Sequence, residues 1–215
     1  MNSLPTLITV KEVELLSGID GKLPTCGNND IYQVEQRERR RCLGADFYDA
    51  LVADLADYSA ATQYQAGTEY VDGDTVIYNG LYYTATTTTT NAPSNHQDWM
   101  YADKFNEADY NTFWGGYLGP YLAVNVLAWV MPFAATKVAS EGVVRNFGEN
   151  FQSASASDMK RLQSALNARI VTVNENMREY LKDQTENTLF ALHPDIEKLN
   201  STDCGCECGG TGQIE

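Results

Sequence analysis

The segment Thr68–Thr90, TEYVDGDTVIYNGLYYTATTTTT, decides how the chain is divided, because its residues alternate with a period of two inside a mostly helical sequence. Its Asn79-Gly80 dipeptide favours a type I′ turn, in which both central residues need positive φ. Such a turn fixes the register of the flanking strands and predicts the cross-strand pairs Tyr78–Leu81, Val76–Tyr83, Ile77–Tyr82 and Thr75–Thr84. The first two pairs share one face and the last two share the other. We therefore predict a small antiparallel β insertion over residues 62–102.

The insertion resembles the chitinase-type carbohydrate-binding modules. Their pattern of aromatic residues around GD-x-V-x-Y-x-G-x-x-Y is matched here by Tyr64, Tyr70, Gly73, Asp74, Val76, Tyr78, Gly80, Tyr83, Pro93 and Trp99. The family usually follows its last tyrosine with a pair of tryptophans that stack on sugar rings, and Thr86, Thr87 and Thr88 stand at that place. The resemblance therefore supports the scaffold better than it supports sugar binding.

Four aromatic residues of the insertion are candidates for a glycan- or partner-binding site: Tyr64, Tyr82, Tyr83 and Trp99. Tyr64, Tyr83 and Trp99 are also the kind of residue that a small sheet needs in its interior, because large rings bury the most area. Tyr82 belongs to the opposite face of the predicted hairpin. It is therefore the better candidate for an exposed ring.

Helical spacing in the rest of the chain predicts a mainly α domain over residues 1–61 and 103–200, followed by a Cys- and Gly-rich tail at 201–215. The clearest helix runs to about Asp183. Its apolar residues recur every three or four positions along one stripe: Met159, Leu162, Leu166, Ile170, Val173, Met177 and Leu181. This spacing is typical of an amphipathic helix that buries one face.

Helix starts are marked by capping residues near the N-terminus. The stretch Thr9-Val10-Lys11-Glu12 is a capping box. Asp30 is placed to cap a helix over 31–43, and Asp46 is placed to cap a second helix that continues to Tyr58.

The run between Asp109 and Lys137 contains no charged residue and is long enough to span a bilayer. Its glycines and prolines favour a broken, protein-buried pair of helices instead, with Pro132 expected to kink or end the second one. We therefore predict a buried or subunit-facing helix and no membrane span. The following stretch, 142–154, is predicted as a loop or small hairpin.

The composition of the chain excludes several classes of function. The formal net charge of −14 argues against a DNA-wrapping surface, since phosphate binding depends on Lys and Arg. No glycine-rich phosphate loop or nucleophile elbow occurs, which predicts no enzyme and no cofactor. The spacing of Cys204, Cys206 and Cys208 is tighter than that of ordinary zinc ligands, so these three are weak metal candidates and better fit a flexible or partner-bound tail.

Two groups of residues are candidates for subunit contacts. The basic cluster Arg37, Arg39, Arg40 and Arg41 could touch DNA phosphates, but intervening glutamates favour ion pairs within the helix or with another subunit. An aromatic stripe, formed by Tyr110, Phe113, Trp114 and Tyr117, could supply both a helical core and a subunit-facing surface.

The helical part resembles the head-to-tail connector (adaptor) family of tailed phages, most closely the ring proteins of crAss-like phages. The matching pieces, in chain order, are ITVKEVELLSGID, CLGADFYDALVADL, YLGPYLAVNVLAWVMPF, VASEGVVRNFGENFQSASASDMKRL and MREYLKD. The resemblance implies a helical connector bundle and a structural virion protein of the neck, made in the host cytoplasm. It also implies a homo-oligomeric ring, twelve-fold in the family, which contacts the portal and other neck proteins while DNA passes through its lumen without specific binding.

Two other interpretations stay open at this point. A glycan-binding virion or surface protein would act through the insertion and would need exposed aromatic rings on one face of the sheet. A metal-stabilised interaction protein would be built around the cysteine tail and would contain bound zinc.

Overall fold

A computed structural model of the chain describes residues 6–17, 26–94, 96–134, 136–139, 142–145, 156–184 and 187–193. The protein is mainly α with a small β part. It divides into two compact units. The first, which we call the helical unit, comprises Met1–Val52 and Phe113–Glu215, and the second, the β unit, comprises Ala53–Thr112.

The elements follow one another along the chain as helices, a group of strands, and helices again. In order they are α1 Val10–Leu16, α2 Asn28–Glu38, a π-helix Arg39–Leu43, α3 Ala45–Ala53, β1 Thr62–Gln63, β2 Thr75–Tyr78, β3 Leu81–Ala85, β4 Trp99–Tyr101, α4 Ala108–Phe113, a second π-helix Trp114–Leu118, α5 Gly119–Ala134, β5 Thr136–Ala139, β6 Gly142–Arg145, α6 Ala156–Asp183 and a 3-10 turn Thr188–Phe190.

Local chemistry sets the helix ends. The capping box of α1 is confirmed, because Thr9 accepts from the Glu12 backbone and Glu12 accepts from the Thr9 backbone. The predicted cap at Asp30 is wrong by three residues. Gly27 is the N-cap of α2, and the Asp30 carboxylate accepts its N–H at 3.0 Å. The following π-helix stops at Gly44, whose φ of 76° is strained for any residue with a Cβ.

Helix α3 is shorter than predicted. It begins at Ala45 and ends at Ala53, so Asp46 lies inside its first turn. The predicted continuation to Tyr58 does not occur, because Leu55 instead forms an isolated antiparallel bridge with Phe105. Tertiary pairing has replaced a helical turn that the sequence pattern alone favoured.

Helix α5 lies at the centre of the helical unit. Every residue from Tyr121 to Leu127 is buried, and the helix packs against α1, α2 and α6. A helix that is apolar on all sides requires such surroundings. Pro132 lies within its last turn rather than ending it. Among the described residues, no helix is long and apolar enough to cross a membrane.

Helix α6 carries the predicted apolar stripe, but the chain covers the stripe unevenly. Leu166, Met177 and Leu181 are buried, whereas Leu162, Ile170 and Val173 are only half-buried. The hairpin predicted within 142–154 begins earlier in the chain. Its strands are β5 and β6, which pair antiparallel. Positions 146–155 and the tail at 201–215 lie outside the described residues.

The β unit contains a four-stranded sheet in the order β1-β2-β3-β4. The predicted register of the central hairpin is confirmed in all four pairs, from Thr75–Thr84 to Tyr78–Leu81. Asn79 and Gly80 have φ of 52° and 80°, as a type I′ turn demands. The sheet is mixed rather than wholly antiparallel, because β1 joins β2 in parallel.

Candidate interaction surfaces

The helical unit contains a buried carboxylate that ties three segments together. Glu35 of α2 has no exposed surface. It accepts hydrogen bonds from the backbone N–H groups of Leu7 (3.0 Å) and Ile8 (2.8 Å) and from the Tyr48 hydroxyl (2.6 Å). Burial and the nearby charge of Glu35 raise the pKa of Tyr48 far above its usual range, so the phenol stays protonated and keeps donating. This carboxylate therefore fixes both the backbone before α1 and the Tyr48 side chain of α3.

Arg37, the first member of the predicted basic cluster, is engaged within its own chain. Its Nε donates to Glu38 at 2.6 Å and its Nη2 donates to Asn125 of α5 at 3.0 Å. Its guanidinium also lies over the Trp129 ring, 5.9 Å from the centroid. Arg37 therefore joins α2 to α5.

Tyr121 completes this contact from the side of α5. Its hydroxyl donates to Glu38 at 2.6 Å and lies 3.2 Å from the Sγ of Cys42. Desolvation by burial, with the Cys42 and Glu38 groups beside it, raises the pKa of Tyr121 far above its usual range. The buried Glu38 thus has both a cation and a phenol as partners, which is how a buried charge is ordinarily accommodated.

The other arginines of the cluster divide into one paired and two exposed residues. Arg39 forms an ion pair with Asp49 of α3 at 2.7 Å and lies over the Tyr48 ring at 5.6 Å. Arg40 and Arg41 are exposed on the π-helix. Of the four arginines predicted as subunit contacts, Arg40 and Arg41 are exposed, whereas Arg37 and Arg39 are half-buried.

The predicted aromatic stripe lies mostly in the interior. Tyr110, Phe113 and Trp114 are buried, and the half-buried Tyr117 stacks on Tyr180 of α6 at 4.3 Å between ring centroids. These rings fill the chain's own core, so the structure does not place Tyr110, Phe113 or Trp114 on a subunit-facing surface.

Three of the four aromatic candidates in the β unit likewise form its interior. Trp99 is only 2% exposed and Tyr83 is buried. Tyr64 is half-buried against them, 6.4 Å from the Trp99 ring. The Trp99 indole donates to the Asn91 carbonyl at 3.0 Å, which satisfies its buried N–H.

Tyr82 lies on the other face of the sheet and is 40% exposed. Its ring stacks on Tyr58, with centroids 5.0 Å apart and planes 27° apart. Ile77 lies opposite Tyr82, and Met100, which is 51% exposed, pairs with Thr84 on the same face. We call Tyr58, Ile77, Tyr82 and Met100 the outer platform. Sequence reasoning found Tyr82 but not Tyr58, because a helix was expected at Tyr58.

The outer platform has an acidic border. The Tyr58 hydroxyl donates to the Asp103 carbonyl at 2.6 Å. Burial, and then the Asp103 carboxylate, raise the pKa of Tyr58. Asp57, next to Tyr58 in sequence, is exposed. Residues 53–112 contain nine Asp and Glu and a single Lys, so the whole unit presents a negative surface.

A stretch of α6 between Asp158 and Glu175 has the opposite charge. Residues 160–174, which we call the basic half of α6, contain Lys160, Arg161 and Arg169 and no acidic residue. All three cations are exposed. The segment also contains the three half-buried residues of the stripe and an exposed Val171. The sequence predicts the positive charge of this segment, but it does not predict that its apolar stripe is only partly buried.

Thr86, Thr87 and Thr88, at the place of the sugar-stacking tryptophans, are exposed and offer no ring. Within the described part of the chain, no group of three His, Cys, Asp or Glu side chains is arranged to hold a metal ion. The weak candidates Cys204, Cys206 and Cys208 lie outside those residues.

Comparison with known proteins gives one match. Residues 85–201, more than half of the chain, match the model of a family described as a family of unknown function, DUF6712. No curated protein and no solved structure matches the chain.

Proposed function

We propose that this chain, which belongs to the DUF6712 family of unknown function, is a structural virion protein: a subunit of a closed ring that joins the portal to the tail of a phage. The helical unit would act as a connector-type bundle, and the β unit would be a borrowed module. The location would be the virion neck. The portal and other neck rings would be its partners, and the twelve-fold symmetry of the resembling family is the expected stoichiometry.

The observation that carries this proposal is the incomplete burial of α6. A helix with a continuous apolar stripe gains its stability from covering that stripe. Here Leu162, Ile170 and Val173 stay half-buried. A second copy that covers them would make a heterologous contact, and such contacts close into a ring when the rotation between copies allows it.

Charge supports the same role. A net charge of −14 suits a channel through which DNA must pass without adhering, since the phosphates are repelled rather than bound. The two exposed cations of the basic cluster, Arg40 and Arg41, are available for a neighbouring acidic face.

The test is assembly with the portal protein of the same phage, imaged by electron microscopy. The proposal predicts closed rings, either from the chain alone or on the portal. Ile170→Asp should prevent ring formation, because it puts a charge into the stripe. Leu192→Asp is the matched control, because Leu192 is an exposed leucine outside α6, and it should leave rings intact. Wild-type chains that stay monomeric and ignore the portal would end the proposal.

A second candidate function is glycan binding by the outer platform. It is favoured by the stacked, partly exposed Tyr58 and Tyr82, since such rings are what sugar faces pack against. A glycan array probed with wild type and Tyr82→Ala tests it: binding that the variant loses would support this function, and an array without signal would remove it.

A further inference from the structure

We propose that the outer platform of one copy receives the basic half of α6 of the neighbouring copy. The inference rests on the proposed ring and gives its subunit contact a location. It also gives the β unit a purpose other than sugar binding, as the part that holds the next subunit.

The two surfaces are complementary in charge. The basic half of α6 has three exposed cations and no acid, within a chain of net charge −14. The β unit has nine acids and one lysine. Opposite surface potentials steer two patches together and fix their orientation, whereas most other pairings of this acidic surface would repel. A second copy supplies the required negative partner without any further protein.

Both surfaces also contain partly uncovered apolar groups. The platform presents Tyr82 and Met100, and the helix presents the half-buried Leu162, Ile170 and Val173 of its stripe. Apolar groups surrounded by charge are the arrangement of protein–protein contacts, in which the centre is desolvated and the border stays polar. The Asp103 carbonyl accepts from the Tyr58 hydroxyl at 2.6 Å, so this exposed residue borders the platform, where Arg169 of the neighbouring α6 would pair with its carboxylate.

Photocrosslinking identifies the occupant directly. Full-length chain with benzoylphenylalanine at Met100 is mixed with an equal amount of ¹⁵N-labelled chain under assembly conditions and irradiated. We expect crosslinks to residues 160–174 that join one light and one heavy chain. Val71 is the control position, because it is 52% exposed in the same unit, and benzoylphenylalanine there should not reach α6. Crosslinks from Met100 within one chain only, or to another segment, overturn the proposal.

Charge exchange tests the pairing. Arg169→Glu should weaken self-association by about tenfold, since like charges facing each other across an interface are costly. Asp103→Arg should do the same, and the double variant should recover most of the loss. Lys182→Glu is the matched control, because Lys182 is an exposed cation of α6 outside the basic half. A double variant as weak as the singles overturns the pairing.

The outcomes separate this inference from the proposed function. Rings whose Met100 crosslinks land elsewhere overturn the docking and leave the ring. Chains that do not associate, and bind a glycan through Tyr82, overturn both.

Discussion

The Tyr48 hydroxyl donates to the fully buried Glu35 carboxylate at 2.6 Å, and this bond anchors α3 to α2. The same carboxylate holds the backbone that precedes α1. One acidic residue in the interior therefore connects α2, α3 and the segment before α1.

Loss of the Tyr48 hydroxyl should destabilise the helical unit. We expect Tyr48→Phe to lower the free energy of unfolding by about 1.5–3 kcal/mol, the range for a hydrogen bond to a charged group. Glu35→Ala should cost more, about 3–5 kcal/mol, because it strands several buried donors. Urea unfolding measures both. Tyr32→Phe on α2, where the ring is half-buried, is the control and should change stability by less than about 0.5 kcal/mol. If Tyr48→Phe and Tyr32→Phe lowered the free energy of unfolding equally, the Tyr48–Glu35 hydrogen bond would contribute nothing to stability.

The interior of the β unit should depend on Trp99. Trp99→Ala removes a ring that is 2% exposed and should cost about 3–5 kcal/mol. Limited proteolysis should then cut within residues 53–112. Tyr82→Ala, on the exposed face, should leave the unit resistant. Cleavage in the Tyr82 variant but not in the Trp99 variant would reverse the assignment of the two faces.

Two glycines near the start of α5 should respond in opposite ways to alanine. A Cβ at Gly119 would lie 2.8 Å from the Trp114 carbonyl oxygen and 2.9 Å from the Leu16 side chain of α1. Gly119→Ala should therefore cost about 1–3 kcal/mol through overpacking. A Cβ at Gly116 would meet nothing within 4 Å, so Gly116→Ala should be neutral or gain up to about 1 kcal/mol from helix propensity. Thermal unfolding of the two variants tests the close approach of Gly119 to Trp114 and Leu16, because only Gly119→Ala should lower the melting temperature.

The Cys26 thiol should react slowly. Burial, then the charges of Asp30 and Glu14, raise its pKa from 9.0 to about 11. A raised thiol pKa means less thiolate at a given pH, so alkylation by iodoacetamide at pH 8 should be about 100-fold slower than for an unperturbed cysteine. The rate should rise with pH up to about 11. Mass spectrometry of the Cys26 peptide measures it, with urea-unfolded protein as the reference. A folded rate equal to the unfolded rate would contradict the assignment.

The parts of the fold that were predictable are those set by local chemistry. Asn79-Gly80 determined the register of the hairpin, because a two-residue turn leaves no freedom in pairing. The capping box at Thr9 and the extent of α6 to Asp183 followed from side chains within a few residues.

The parts that were missed depend on contacts between distant residues. No pattern indicates that Glu35 is buried, since a glutamate on a helix is ordinarily a surface residue. The parallel pairing of β1 involves only two residues and has no sequence signal. The stacking of Tyr58 on Tyr82 required α3 to end at Ala53, where helical spacing predicted that it continues.

Imaging of the intact phage tests the proposed neck ring most directly. Cryo-electron microscopy of the neck should resolve a closed ring between portal and tail whose subunits contain the helical unit and the four-stranded β unit as separately fitted bodies. A neck built entirely of other proteins, or particles that contain none of this chain by mass spectrometry, would contradict it.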